Sequence, residues 1–184
     1  MDLKKKLSKK NVLLVKVDSS EYSETILKTM KSLSKGKICY VTMNKTYNSL
    51  EERFNKNKIN LDNVFFIVSI SGSIKDVKQN KKQVYFISSP SSLTELSLAI
   101  TKTLDKGFDY VVFDSINNLL TYHDVNTAER FLNRIINEIK DSGTKAIFSA
   151  LRIKEQEELI NKTSTFVDET VDISSEKQDE KEVG

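Results

Sequence analysis

The residue with the clearest chemical potential is Asp114, which ends the apolar run Tyr110-Val111-Val112-Phe113 and precedes Ser115. A short apolar run of this kind reads as a strand buried on both faces. A carboxylate at the carboxyl end of such a strand stands where open α/β sheets bind ligands. It could hold a metal ion directly or through water. With Ser115 it could equally cap the turn or helix that follows. The carboxylates and histidines that would complete a metal site are not apparent around it.

Other polar groups fall at strand ends. Asp18, Ser19, Ser20 and Ser23 follow an apolar run at 12–17 and open a helical pattern. Helix N-termini favour anions. Here Asp18, Glu21 and Glu24 already supply negative charge, which would repel a phosphate. The segment has no glycine to let the backbone curl its N–H groups around an anion. No G-x-x-x-x-G-K-[ST] loop occurs anywhere in the chain. The segment therefore reads as a capped helix start. The cluster Ser88-Ser89-Pro90-Ser91-Ser92 reads as a turn and a cap rather than a phosphate cradle. His123 is the only histidine, Asp124 is merely its neighbour, and no G-x-S-x-G elbow exists, so a loop role is expected. The single cysteine, Cys39, lies in an apolar run and reads as a core filler. What remains is a candidate ligand crevice of Asp114, Ser115, Ser19, Ser23 and Ser88. No catalytic residue, metal ligand or cofactor is expected.

The elements that would position these groups alternate. Apolar runs at 12–17, 38–43, 64–70, 84–87, 108–113, 145–150 and 166–173 read as strands. Helical patterns fall at about 21–33, from about 49, 92–106, 125–141 and 154–162. Ser49-x-x-Glu52 and Ser92-x-x-Glu95 resemble capping boxes. Gly36, Gly107 and Gly143 each stand between a helix and a strand, where a left-handed residue is useful. This grammar predicts a three-layer α/β/α fold with a mostly parallel sheet. The expected organisation is a basic N-terminal tail at 1–10, one domain at 11–173 and a disordered charged tail at 174–184.

The chain has 184 residues, enough for one domain that buries roughly 70% of its extended surface. No apolar stretch approaches the ~20 residues of a membrane span. Nor does a signal-peptide pattern precede the first strand, so a cytoplasmic protein is expected. Net charge is +3, with basic residues concentrated in the N-terminal segment and at Lys75, Lys78, Lys81 and Lys82. Neither group interleaves aromatics as single-strand binders do. Both read mainly as solvated, with a nucleic acid as the weaker alternative.

Across 11–173 the chain resembles the RecA/KaiC superfamily of P-loop ATPases. Asn11-Val-Leu-Leu-Val-Lys-Val17 is similar to the strand that feeds the Walker A loop, and Gly36-Lys-Ile-Cys-Tyr-Val-Thr-Met43 to the second core strand. Phe108-Asp-Tyr-Val-Val-Phe-Asp-Ser-Ile116 resembles the Walker B strand, Gly143-Thr-Lys-Ala-Ile-Phe-Ser149 the next one, and Phe166-Val-Asp-Glu-Thr-Val-Asp-Ile173 the closing segment. Tyr40-Val-Thr-Met-Asn-Lys45 and Ser88-Ser-Pro-Ser-Ser-Leu-Thr-Glu-Leu96 add a likeness to small archaeal KaiC-like proteins of unknown function. The likeness implies a nucleotide crevice beside Asp114, yet the residues that would serve it are replaced. Ser23 stands near the phosphate-binding lysine and Glu24 near the magnesium-binding hydroxyl. Two charges ~4 Å apart interact by about 4 kcal/mol at an effective dielectric of ~20, so Glu24 would oppose a phosphate. Asn44 and Lys45 occupy the place of a catalytic glutamate pair, and neither can act as a carboxylate base.

The expectation is a RecA/KaiC-like domain that has lost ATP hydrolysis and acts as a regulatory or protein-interaction subunit. A protein partner is implied, either a further copy of the chain or an active paralogue. The alternatives are a small-ligand or nucleotide binder without hydrolysis, and a nucleic-acid accessory protein. The strand at 12–17 and the Asp114 strand should be central, with 145–150 near them. Which of 64–70 and 84–87 lies outermost is left open.

Overall fold

A computed structural model describes residues 2–69 and 83–173. In chain order the elements are α1 (Leu3–Leu7), β1 (Val12–Val17), α2 (Ser19–Leu33), β2 (Ile38–Thr42), α3 (Tyr47–Lys56), β3 (Val64–Val68) and β4 (Val84–Phe86). There follow α4 (Leu93–Leu104), β5 (Tyr110–Asp114), a 3-10 turn at Ile116–Thr121, α5 (Val125–Ser142) and β6 (Lys145–Leu151). A second 3-10 turn at Lys154–Gln156, α6 (Glu157–Ser164) and β7 (Glu169–Ile173) are the last elements of the described residues. The strands form one seven-stranded sheet in the order β4-β3-β2-β5-β6-β1-β7, with every pair parallel. Helices cover both faces, so the expected three-layer α/β/α architecture is present.

The two-residue period of the strands divides the core into two layers. Val12, Leu14, Cys39, Val41, Val111 and Phe113 face one side, with α4, α5 and α6. Leu13, Val15, Ile38, Tyr40, Phe66 and Val112 face the other, with α1, α2 and α3. Helix α5 shows how local pattern selects a layer. Its buried residues Ala128, Phe131, Leu132, Ile135, Ile136 and Ile139 fall on one stripe at helical spacing. Asp124 accepts from Thr127 N–H at its start, and Gly143 ends it at φ 73°. Cys39 is wholly buried and burial pushes its thiol up to about 12, so it stays a protonated core filler. No helix among the described residues is long and apolar enough to cross a membrane.

Several local expectations change. Strand β1 is not central but next to the edge, between β6 and β7, while β4 is the outermost strand beside β3. Helix α3 begins at Tyr47, capped by Thr46, whose side chain accepts from Ser49 N–H; Ser49 is inside the helix and not its cap. Ser92 does cap α4 by position, but its side chain makes no cap bond, and the Glu95 carboxylate that would complete the box accepts from Ser88 instead. Gly107 and Gly143 have positive φ, whereas Gly36 does not. At Gly36 the constraint is space, since an added Cβ would lie 2.7 Å from the ring of Tyr110. The lysine-rich positions 75, 78, 81 and 82 and the tail from 174 lie outside the described residues.

The N-terminal basic segment is more than a solvated tail. Asp2 caps α1 by accepting from Lys5 N–H, and Leu3 and Leu7, one turn apart, are buried in the layer formed with α2. Leu7 is 1% exposed. Leu7→Ala should therefore destabilise the fold by about 2–4 kcal/mol, as a buried leucine truncation does. Lys5→Ala, at an exposed site on the same helix, should stay within about 0.5 kcal/mol. Urea denaturation of the two variants checks this; equal midpoints would show that α1 is not part of the cooperative core.

Candidate functional site

Strand register determines which side chains meet at the carboxyl edge of the sheet. Thr42 pairs with Asp114 across β2 and β5, and Phe113 pairs with Phe148 across β5 and β6. Tyr40, Asp114 and Ser149 therefore share one face, the one that packs on α2 and α3. The first turn of α2 brings Tyr22 to the same place, and the turn after β2 brings Lys45.

Asp114 is the centre of this cluster, with its side chain only 1% exposed. Both carboxylate oxygens are occupied. The hydroxyl of Tyr22 donates to Oδ1, while the hydroxyl of Tyr40 and the ammonium of Lys45 donate to Oδ2. The Lys45 side chain is 23% exposed, so it closes the cluster towards solvent. Its Nζ also lies 5.5 Å from the centroid of the Tyr22 ring, within cation–π range. Ser149 Oγ lies 2.6 Å from the Tyr22 hydroxyl and donates to the Phe113 carbonyl at 3.0 Å. Tyr40 is held from behind by aromatic packing. Its ring meets Phe54 edge-on at 5.4 Å, and Phe66 in turn meets Tyr47 edge-on at 5.2 Å.

Chemically, the arrangement is a buried anion compensated by one cation and two neutral donors. A carboxylate offers about four lone-pair positions, and three are taken by protein donors. Among the described residues no group of three or more His, Cys, Asp or Glu could hold a metal ion. Burial, followed by the field of Asp114 and the hydrogen bond to it, pushes the hydroxyls of Tyr22 and Tyr40 well above the ordinary tyrosine range. Both tyrosines therefore remain neutral donors, as the geometry requires.

The structure distributes the sequence candidates unevenly. Asp114 and Ser115 are buried together at the end of β5, joined by a cis peptide bond. Asp114 does not cap the following 3-10 turn, and Ser115, at the cap position, makes no side-chain cap bond either. Ser19 and Ser23 are exposed on the first turns of α2. The carbonyl of Ser23 accepts from Arg53 at 2.9 Å. Asp18 makes no side-chain cap bond but pairs with Arg152 at 3.3 Å. Ser88 is not brought to Asp114. It lies past β4, three strands from β5 and so roughly 14 Å away along the sheet, and both its N–H and hydroxyl bind Glu95. The residues that do meet Asp114 are Tyr22, Tyr40 and Lys45, with Ser149 behind them against the Tyr22 hydroxyl. A groove of about 440 Å³ lined by Leu3, Glu21, Thr25, Lys28 and Ile173 shares no residue with this cluster.

The raised tyrosines make stability fall in alkali. Below about pH 10, the ordinary value for tyrosine, both states hold the phenolic protons. Above it the unfolded chain releases them and the folded one does not, so stability drops by up to ~1.36 kcal/mol per pH unit for each tyrosine. Comparing urea unfolding of the parent with Tyr22→Phe/Tyr40→Phe between pH 8 and 11 isolates this contribution. The double variant should lose less stability over that range; parallel curves would show that the hydroxyls are not bound to Asp114.

No curated protein matches the chain. Residues 10–173 match the profile described as Family of unknown function (DUF7504), and the chain belongs to that family.

Proposed function

We propose that this protein is a RecA/KaiC-like domain without ATPase activity, serving as a regulatory or protein-interaction subunit. The observation that carries the reading is the occupancy of Asp114, whose two oxygens are bound by Tyr22, Tyr40 and Lys45. A magnesium ion with its nucleotide does not fit these residues. It would need carboxylate lone pairs already committed to protein donors, at a point where the Lys45 ammonium supplies the positive charge. Beside it, the turn between β1 and α2 offers Asp18, Glu21 and Glu24, with no glycine and no lysine for a phosphate. A general base is also lacking at the end of β2, where Asn44 and Lys45 stand; Asn44 Oδ1 accepts from Thr42 Oγ1 at 3.3 Å.

On this reading the crevice has become a structural joint. A domain whose strand-end carboxylate is internally neutralised can keep its shape without a ligand and offer its outer surface to a partner. That partner is a second protein, either another copy of the chain or a catalytically competent paralogue.

Calorimetry with ATP, ADP and magnesium, together with a phosphate-release assay, tests the proposal. Neither binding nor turnover is expected from the parent protein. Asp114→Ala should destabilise the fold by about 3–5 kcal/mol, because it strands Lys45 and two buried hydroxyls. Turnover by the parent that disappears in Asp114→Asn would overturn the reading, as would tight magnesium-dependent nucleotide binding.

A further inference from the structure

The turns that lead into the strands lie along one edge of the sheet, because all the strands run the same way. At that edge the turns are bonded to one another. Ile38 N–H donates to the Asn63 carbonyl at 2.8 Å, and Asp109 N–H to the Lys37 carbonyl at 3.0 Å. Lys145 N–H donates to the Asp109 carbonyl at 3.1 Å, and Ala146 N–H to the Asn11 carbonyl at 2.7 Å. This seam crosses β3, β2, β5, β6 and β1 in order, a span of roughly 19 Å at ~4.8 Å per strand.

Six lysines stand on the seam: Lys58 before β3, Lys35 and Lys37 around the start of β2, Lys106 before β5, and Lys9 and Lys10 before β1. All six are exposed, and none is in an ion pair among the described residues. The helix dipoles account for a cation in each last turn, and Lys31, Lys56, Lys102 and Lys140 already fill those places. The six lysines lie beyond those turns. The opposing carboxylates at this edge are Asp62, Asp105, Asp109, Asp141 and Asp168. Asp109 is turned into the seam, accepting from Lys37 N–H at 2.8 Å, and Asp168 accepts from Asn11 N–H at 2.8 Å and pairs with Lys140 at 2.8 Å.

We propose that this edge is a docking face for the phosphate backbone of a duplex nucleic acid, bound without regard to base sequence. Its length matches roughly five or six phosphates of one strand at ~3.4 Å axial spacing. Lysine is a point charge on a flexible stem and suits phosphates, whereas base recognition relies on side chains that reach into a groove. The exposed large apolar residues among those described, Tyr85, Leu98 and Tyr122, are all away from this edge. The aromatics at this edge, Phe65 with Lys106 Nζ 5.8 Å from its centroid, Phe108 and Tyr110, are partly buried. The face thus lacks the exposed aromatic platforms that hold single strands, the apolar anchors that enter a bilayer and the exposed hot-spot aromatics of a protein interface. The proposal stands apart from the reading of the Asp114 crevice and does not depend on it.

Fluorescence anisotropy of a labelled 30-base-pair duplex of arbitrary sequence, titrated with the full chain, tests it. Binding is expected at 50 mM salt, weakening by about 10³-fold at 200 mM with a log–log slope of about −5 for six phosphate contacts. Substituting Lys9, Lys10, Lys35 and Lys37 by glutamine should flatten the slope by about 3 to 4 with the thermal midpoint unchanged. Lys35→Gln/Lys37→Gln alone should flatten it by about 2. Lys154→Gln, at an exposed lysine on the opposite edge, should leave binding as it is. No binding at 50 mM salt, an equal loss with Lys154→Gln, or capture of phosphatidylserine vesicles in preference to the duplex would each overturn the proposal.

Discussion

A carboxylate buried in the middle strand of the sheet is the constraint around which this fold is arranged. Removing an unpaired charge from water costs several kcal/mol even after the protein relaxes. Asp114, 1% exposed on β5, is tolerable only because donors converge on it from separate elements. Tyr22 comes from the first turn of α2, Tyr40 from β2 and Lys45 from the turn that leads to α3. The carboxylate therefore ties the helix after β1 and the turn after β2 to the central strand. The same pairing orders the neighbouring aromatics, since the Tyr40 ring that presents its hydroxyl also forms one wall of the packing with Phe54 and Phe66. Losing any one donor leaves the others to compensate a charge that has no access to water.

This stability has a chemical consequence. Sites that bind metals or activate water keep carboxylate oxygens available and hold charge in an unsatisfied state. Here the field of Asp114 is spent on a lysine and two phenols, and the two phenols are held neutral by their burial and then by that same field. A cation supplied by the chain itself is present at every moment, so the arrangement does not depend on a ligand arriving. Such a centre is well suited to holding shape and poorly suited to phosphate transfer, which rests on an exchangeable metal and a positioned nucleophile.

Much of the fold was legible in the sequence, because its signals are local. Apolar runs bounded by polar residues located the strands, and the stripe Ala128, Phe131, Leu132, Ile135 and Ile139 located α5. What escaped depended on tertiary context. Leu3 and Leu7 bury one face of a single turn, too short to stand out among lysines. Gly36 looks like a helix terminator but is required by the ring of Tyr110. The place of β1 next to the edge follows from which strands insert between β1 and β2, which no local pattern records. Asp114 was legible as a special residue for the same reason as the strands, since an acid closing an apolar run is conspicuous. Its partners were not. Tyr22 reads as one more apolar position beside Ile26 and Met30, and Tyr40 as a strand aromatic. The polar tip of each matters only once the register brings it to the carboxylate. Ser88 misled in the opposite sense, being polar and at a strand end, but at the end of the outermost strand.

An all-parallel sheet also sorts charge. Each helix runs back against its strands, so helix C-termini gather at the edge where strands begin and helix N-termini at the edge where they end. Lysines accumulate at the first edge, in Lys31, Lys56, Lys102 and Lys140 and then beyond them in the turns. Acids accumulate at the second, in Asp18, Glu21, Glu95, Asp114 and Asp124. The net charge of the whole chain, +3, conceals this separation. The two edges then follow different logic. At the acidic edge an inward carboxylate is matched by groups that the fold supplies, whereas at the basic edge exposed lysines exceed the carboxylates beside them. The fold thus satisfies its own charge at one end and leaves lysine charge unmatched at the other, where the strands begin, away from the crevice that its topology would ordinarily use.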